Sequence, residues 1–261
     1  MSRDIEDYES TYLENYKFEA IMVAYRQRML LERLRIHAPE TVVEIGCGAD
    51  LLYRRYIECS DDVKKWIIVE PAPKFLESAR SAKLRNLVVI EGVFEEAGEN
   101  IRSILPTAPD MIICSSVLHE VPDAGRLLAS AVSIMGIRTV LHINVPNAYS
   151  FHRRLARSMG LIANLEDLSQ RNRQLLQNRV YSRDSLVRDI TEAGLSVIAD
   201  GGYFIKPFTH EQMTDITGSL GRSVLDGLDA MGRENPEFAS EIFVDVCKAA
   251  RLTCSPKEIV R

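Results

Sequence analysis

The chain has 261 residues, 46% of them hydrophobic, enough to bury a substantial core in one large domain or two small ones. Its net charge of -5 and pI near 5.7 supply no global field for a polyanion, which argues against nucleic acid as a partner. The five cysteines form no CxxC pair, which indicates reduced thiols and no metal site; no apolar run reaches the roughly 18 residues of a membrane span, and the acidic start MSRDIEDYES is unlike a secretory signal, so the expected location is the cytoplasm.

From Ser10 to Ile36 a stretch without Pro or Gly, rich in Glu, Leu, Met and Arg, predicts one or two helices ending before Pro39, a helical lead-in or cap over residues 1–38. Its tyrosines, Tyr8, Tyr12, Tyr16 and Tyr25, suit either of two uses: covering a bound cation with their rings, or packing as an amphipathic face. Five apolar runs then alternate with helical patterns: Thr41–Ile45, Trp66–Val69, Leu87–Ile90, Met111–Cys114 and Thr139–Ile143. This alternation predicts an α/β fold, a doubly wound, mostly parallel sheet with helices on both faces, occupying residues 39–261. Before the fifth run, Leu127, Leu128, Ala131, Ile134 and Met135 follow Pro122 and Asp123 at the spacing of a core-facing helix. Residues 146–182 break the pattern as a polar, Arg-rich insertion, read as a helical lid. A helix (Arg183–Ala193), a strand (Leu195–Ala199), a helical stretch (His210–Met231) and a last strand (Glu241–Cys247) complete the chain.

Chemistry concentrates where the first strand turns into a helix, at Val43-Glu44-Ile45-Gly46-Cys47-Gly48-Ala49-Asp50. Glycines there let the backbone turn tightly and let a ligand approach it. Glu70 closes the second strand, where an acid can accept hydrogen bonds from both ribose hydroxyls of an adenosine. Leu51 occupies the place of the third glycine of a dinucleotide fingerprint, which disfavours NAD and a nicotinamide-dependent oxidoreductase.

At these residues the chain resembles the class I S-adenosylmethionine methyltransferases: Glu44-Ile45-Gly46-Cys47-Gly48 is similar to their E/D-x-G-x-G motif, and Glu70, followed by Pro71, to their ribose-binding acid. The resemblance implies S-adenosylmethionine as cofactor, with Glu44 organising the site around its methionine moiety. It also implies a seven-stranded sheet of order 3-2-1-4-5-7-6 with the last strand antiparallel. After the third strand, Val93 stands where the family often has an adenine-binding acid, leaving that contact to the backbone at Val93 and Phe94, or to Glu95. Asp110 to Asp123 is similar to the family's fourth-strand motif, whose following loop, with Ser115, Ser116 and His119, flanks the transferable methyl. Val145 to Arg154 and Gly201 to Pro207 resemble a subset acting in sugar, surface-polysaccharide or secondary-metabolite pathways.

Methyl transfer needs orientation and exclusion of water, and a base if the acceptor is a hydroxyl or a protonated amine. His119, His142 and His152 are the candidate bases beside the crevice, each with a packing role as its alternative, and Glu120 competes with His119; His37 and His210 fall away from the crevice. Phe151 to Arg183 carries seven arginines, no lysine and two acids. Arg153 and Arg154, with Tyr149, either grip an anionic substrate such as a phosphorylated or nucleotide-linked sugar, or belong to a solvated face paired with acids elsewhere. The expected function is methyl transfer to a small polar, sugar-like or secondary-metabolite acceptor. A catalytically silent S-adenosylmethionine-binding module and an RNA methyltransferase are the alternatives, and self-association stays open.

Overall fold

The computed structural model describes residues 16–175 and 177–249. Tyr8 and Tyr12 of the lead-in lie outside the described residues. The first described element is helix α1 (Tyr16–His37), whose buried residues Phe18, Met22, Tyr25, Met29, Leu30 and Leu34 recur every three or four positions. It ends at Ala38, in the left-handed region at φ 43°, immediately before Pro39.

Strands β1 (Thr41–Ile45), β2 (Lys65–Glu70), β3 (Leu87–Glu91), β4 (Met111–Ser115) and β5 (Val140–Pro146) alternate with helices α2 (Leu52–Tyr56), α3 (Pro73–Ser81), α4 (Gly98–Ile104) and α5 (Ala124–Ile134). Helices α6 (Phe151–Ser158) and α7 (Gln170–Gln174) lie in the insertion, followed by α8 (Arg183–Glu192), β6 (Leu195–Tyr203), α9 (His210–Glu234) and β7 (Glu241–Lys248). The sheet has seven strands in the order β3-β2-β1-β4-β5-β7-β6, and β7 runs antiparallel to both its neighbours. β6 runs on to Tyr203, four residues past the apolar run that marked it in the sequence.

The apolar runs become strands because β-branched side chains are covered on both sheet faces. Val43, Ile67, Ile112 and Leu141 pack towards α4, α5 and α8, while Val42, Trp66, Ile68, Met111 and Ile113 pack towards α1, α2, α3 and α9. Asp123 caps α5, its carboxylate accepting from the Arg126 N–H at 2.9 Å, and Ser182 and Thr209 close capping boxes on α8 and α9. Chain order reverses between β1 and β4, opening a crevice at the carboxyl ends of the strands.

Helix α1 runs along β7 and closes that crevice from one side. Arg26 and Arg33, two turns or about 10 Å apart, meet Glu241 and Asp245, four strand residues or about 13 Å apart. Asp245 is fully buried: one carboxylate oxygen accepts from Arg33 Nε at 2.8 Å and His37 Nε2 at 2.6 Å, the other from His142 Nδ1 at 2.7 Å. These donors outweigh the effect of burial, which alone would raise the carboxyl's pKa, and hold it well below the usual range. Replacing Asp245 by Ala strands the donors on α1 and β5 without their acceptor, and should destabilise the fold by about 3–5 kcal/mol in urea unfolding; a loss near zero would remove this contact from the account of how α1 is held.

Candidate functional site

A cavity of about 590 Å³ lies at the carboxyl ends of β1, β2 and β4, between α1, the insertion and the start of β7. One end is made by the glycine loop. Gly46 has φ 71°, its N–H donates to Val69 O at 2.9 Å, and a Cβ there would come within 3.1 Å of Val117. Gly48 has φ 60°, yet a Cβ there would meet nothing within 4 Å, so the loop is open to the cavity at that point.

Backbone donors fix the Glu70 carboxylate: Cys47 N–H reaches one oxygen at 2.9 Å and Ala72 N–H the other at 2.8 Å. Burial nonetheless pushes its pKa up, so further donors from a bound diol would be favourable. Burial and Glu70 also push the Cys47 thiol up, away from nucleophilic reactivity. Glu44 is buried in the same wall, accepts from the Trp66 indole N–H at 2.8 Å, and is raised to about 8, first by burial and further by Glu70. Two buried acids and an open glycine backbone therefore line this end. The acceptor oxygens of these acids suit a ligand carrying a ribose diol and a positively charged amino acid moiety. Pro71, Val93, Phe94, Ser115 and Ser116 line the same cavity, and Ser116 adopts φ 55°, uncommon outside glycine.

The other end has a different chemistry. Residues Glu19, Met22, Val23, Arg26 and Leu30 of α1 face it at helical spacing. Arg26 lies between Glu19, at 3.0 Å, and Glu241, which also accepts from Tyr203 Oη, from Asn144 Nδ2 at 2.9 Å and from Ser116 Oγ at 3.4 Å. Glu19 would be raised by burial, but Arg26 and His210 outweigh this and bring it to about 2. Lys206, buried between β6 and α9, places Nζ 3.0 Å from His210 Nδ1, and His210 Nε2 is 3.1 Å from Glu19. His152, in the first turn of α6, lines the cavity, and its Nδ1 is buried with no hydrogen-bond partner among the described residues. Burial, then Lys206, Arg153 and His210, hold the pKa of this imidazole well below the ordinary histidine value.

The sequence-derived candidates divide on this geometry. Glu44, Gly46, Cys47, Gly48, Glu70, Pro71, Val93, Phe94, Ser115, Ser116, His119, Glu120 and His152 all line the cavity. His119 is buried, with Nε2 3.1 Å from Gln177 Nε2, and its carbonyl accepts from Asn178 and Arg179, so it ties the β4 loop to the insertion. His142 is not in the wall: it lies two residues back in β5, fully buried, bonded to Asp245 and stacked on Phe243, which makes it a sheet residue. Arg153 reaches the wall, but its guanidinium donates to Leu165 O at 2.8 and 3.0 Å and to Asp167 O at 2.5 Å, so it clamps the insertion rather than offering an open fork. Tyr149 and Arg154 are not among the lining residues; the Arg154 guanidinium packs over the Tyr149 and Phe238 rings. Tyr25 packs against Phe204 at 4.9 Å and bonds Asp226. His210, placed away from the crevice by its sequence position, is in the wall.

Sequence reasoning missed Glu19, Arg26, Lys206, His210 and Glu241 as a group. The spacing of Glu19, Met22, Val23 and Arg26 marks one helix face, but no local motif announces Lys206 or Glu241. Among the described residues, no group of three or more His, Cys, Asp or Glu could hold a metal ion, and no helix is long and apolar enough to cross a membrane.

Several solved structures share this fold. A methyltransferase from Thermotoga maritima, described as S-adenosylmethionine-dependent and a possible histamine N-methyltransferase, superposes with a TM-score of 0.56 at 19% identity, covering 93% of this chain and 98% of that one. The plantazolicin methyltransferase BamL, solved with S-adenosylhomocysteine and a triazolic desmethylPZN analog, gives 0.55 at 13% identity, covering 94% and 97%. The small RNA methyltransferase HEN1 gives 0.60 at 17% identity, covering 86% of this chain but 25% of that one. The comparison with curated proteins found no match. The model of a methyltransferase domain family matches residues 15–200, from α1 through the glycine loop and insertion into β6, and the chain belongs to this family of S-adenosylmethionine-dependent methyltransferases.

Proposed function

We propose that the chain methylates a hydroxyl group of a small polar molecule bound between α1, the insertion and β7, with His152 as the base. The imidazole of His152, which lines this cavity and is kept neutral at pH 7 by burial and its cationic neighbours, carries the reading. Glu70 with the Gly46–Gly48 loop would hold the ribose, and Glu44 would sit nearest the amino acid moiety. When bound, the cofactor supplies an electrophilic methyl on a sulfonium. The protein then has to orient the acceptor, keep water out and take a proton.

A small acceptor is favoured over RNA because four of the seven arginines between Phe151 and Arg183 are engaged within the chain. Arg153 is on backbone carbonyls, Arg179 on Asp189 at 2.5 Å, Arg183 on Asp200 at 2.5 Å, and Arg154 on aromatic rings. This engagement also argues against the reading in which Arg153 and Arg154 grip a phosphorylated sugar. A silent binding module would have no use for a neutral imidazole in the cavity wall.

Glu70→Ala removes charge-assisted hydrogen bonds and should weaken S-adenosylmethionine binding by about 1.5–3 kcal/mol in calorimetry; unchanged affinity would detach Glu70 from the cofactor. An acceptor identified by incubating tritiated S-adenosylmethionine with a metabolite extract makes the base testable. His152→Ala should then lower turnover about 10²-fold with cofactor affinity preserved. Because the His152 pKa is lowered, the base is already deprotonated above pH 6.5, so the rate should be flat from there to about pH 8 and fall only at more acidic pH as the imidazole protonates. A rate that halves near or above pH 6.5, or an unimpaired His152→Ala, would contradict the assignment.

A further inference from the structure

The glycine loop has conformational freedom to lose, because Gly46 and Gly48 both sit at positive φ and glycine has the widest range of backbone states. Such a loop binds well only if it is fixed beforehand in the binding shape, since apparent affinity falls with the fraction of molecules that hold that shape. The first half of the loop is fixed to β2, by Gly46 N–H on Val69 O at 2.9 Å and Cys47 N–H on the Glu70 carboxylate at 2.9 Å. At its far end the contact comes from another element: Gln27 of α1 donates from Nε2 to the Asp50 carbonyl at 2.7 Å, across 23 residues of chain.

Gln27 stands among residues of a different kind. It is buried, and Val23 and Leu30, one helical turn before and after it, are buried apolar residues that line the cavity with it. A carbonyl can only accept, so the amide must turn its NH2 to Asp50 and its oxygen the other way. There Oε1 is buried with no hydrogen-bond partner among the described residues. A buried acceptor left unpaired counts against the fold, and a methionine would fill the same space without one. Asp50 itself is exposed, so its carbonyl can be hydrated if the amide is removed. For stability alone, Gln27 is therefore neutral or unfavourable, and what its amide secures is the place of the loop. The residue before it, Arg26, reaches Glu241, which also accepts from Ser116 Oγ of the β4 loop at 3.4 Å. Two consecutive residues of α1 thus hold the loops on either side of the switch between β1 and β4.

Resting on the methyltransferase reading and deepening it, we propose that Gln27 is a positioning residue for cofactor binding: its bond to the Asp50 carbonyl keeps the glycine loop in the shape that receives S-adenosylmethionine. Gln27 acts through the loop and not on the reacting atoms. Without its donor, the part of the loop beyond Cys47 samples other shapes, and the fraction of molecules ready for the cofactor falls. The fold keeps a polar residue on an apolar helix face because binding needs it there, an exchange of stability for function.

The test compares the full chain with its Gln27→Met and Gln27→Glu variants, by titration calorimetry with S-adenosylhomocysteine and by urea unfolding without it. Gln27→Met should unfold at a urea concentration equal to or above that of the wild type, yet bind S-adenosylhomocysteine about three- to tenfold more weakly, the population shift that one ordinary hydrogen bond sustains. Gln27→Glu keeps the shape of the side chain but can donate only while its carboxyl is protonated. Its affinity, taken as a ratio to the wild type at each pH, should therefore fall between about pH 5 and pH 9 as the buried carboxyl ionises, while the Gln27→Met ratio stays flat. Wild-type affinity in Gln27→Met, a Gln27→Met protein that is less stable than the wild type or does not fold, or a Gln27→Glu ratio that ignores pH overturns the proposal. Should the wild-type protein not bind S-adenosylhomocysteine, the methyltransferase reading itself falls; wild-type affinity in both variants removes only the role of Gln27.

Discussion

The pairing of α1 with β7 is the constraint on which the site depends. A doubly wound sheet by itself leaves an open crevice at the switch between β1 and β4. Arg33 and His37 on Asp245, and Arg26 on Glu241, lay α1 along that crevice and give it a wall on that side. The two contacts differ in consequence. Asp245 is sealed in the sheet and serves stability, while Glu241 opens at the end of β7, where its remaining lone pairs draw in Tyr203, Asn144 and Ser116. Helix, sheet end and β4 loop therefore share one carboxylate, and a shift of α1 would be felt at the loop beside the cofactor end.

The cavity is polarised along its length. Buried acids, Glu44 and Glu70, line the cofactor end, and Lys206 with His152, whose pKa burial lowers, lies at the other. Burial makes both halves sensitive to charge, because each group is shifted away from its charged form unless a partner compensates. A cofactor with donor hydroxyls and a cationic amino acid portion would compensate the first.

Much of this was legible in the sequence, and the boundary of legibility is physical. The glycine loop and Glu70 are local features of strand ends, so period and spacing suffice to find them, and the strand runs were long and β-branched enough to predict their order of appearance. Side-chain direction was harder to read. His142 and Asn144 share a sheet face by the two-residue period, yet only Asn144 reaches the polar cluster around Glu241, because His142 sits one pleat deeper. In α6, each residue turns the direction by about 100°, so His152 meets the cavity, Arg153 turns to the Leu165 and Asp167 carbonyls, and Arg154 turns outward onto Tyr149. Consecutive positions in the sequence thus have unrelated roles. Glu19, Arg26, Lys206, His210 and Glu241 were invisible as a set because tertiary contacts alone join them, across sequence separations as large as 215 residues.

The central claim is that the cavity is an S-adenosylmethionine site and not a dinucleotide site. Titration calorimetry of the full chain with S-adenosylmethionine, S-adenosylhomocysteine and NAD tests it most directly. The account predicts one site per chain for each of the first two, with dissociation constants on the order of micromolar, and no detectable heat from NAD. Binding of NAD with no binding of S-adenosylmethionine would contradict it.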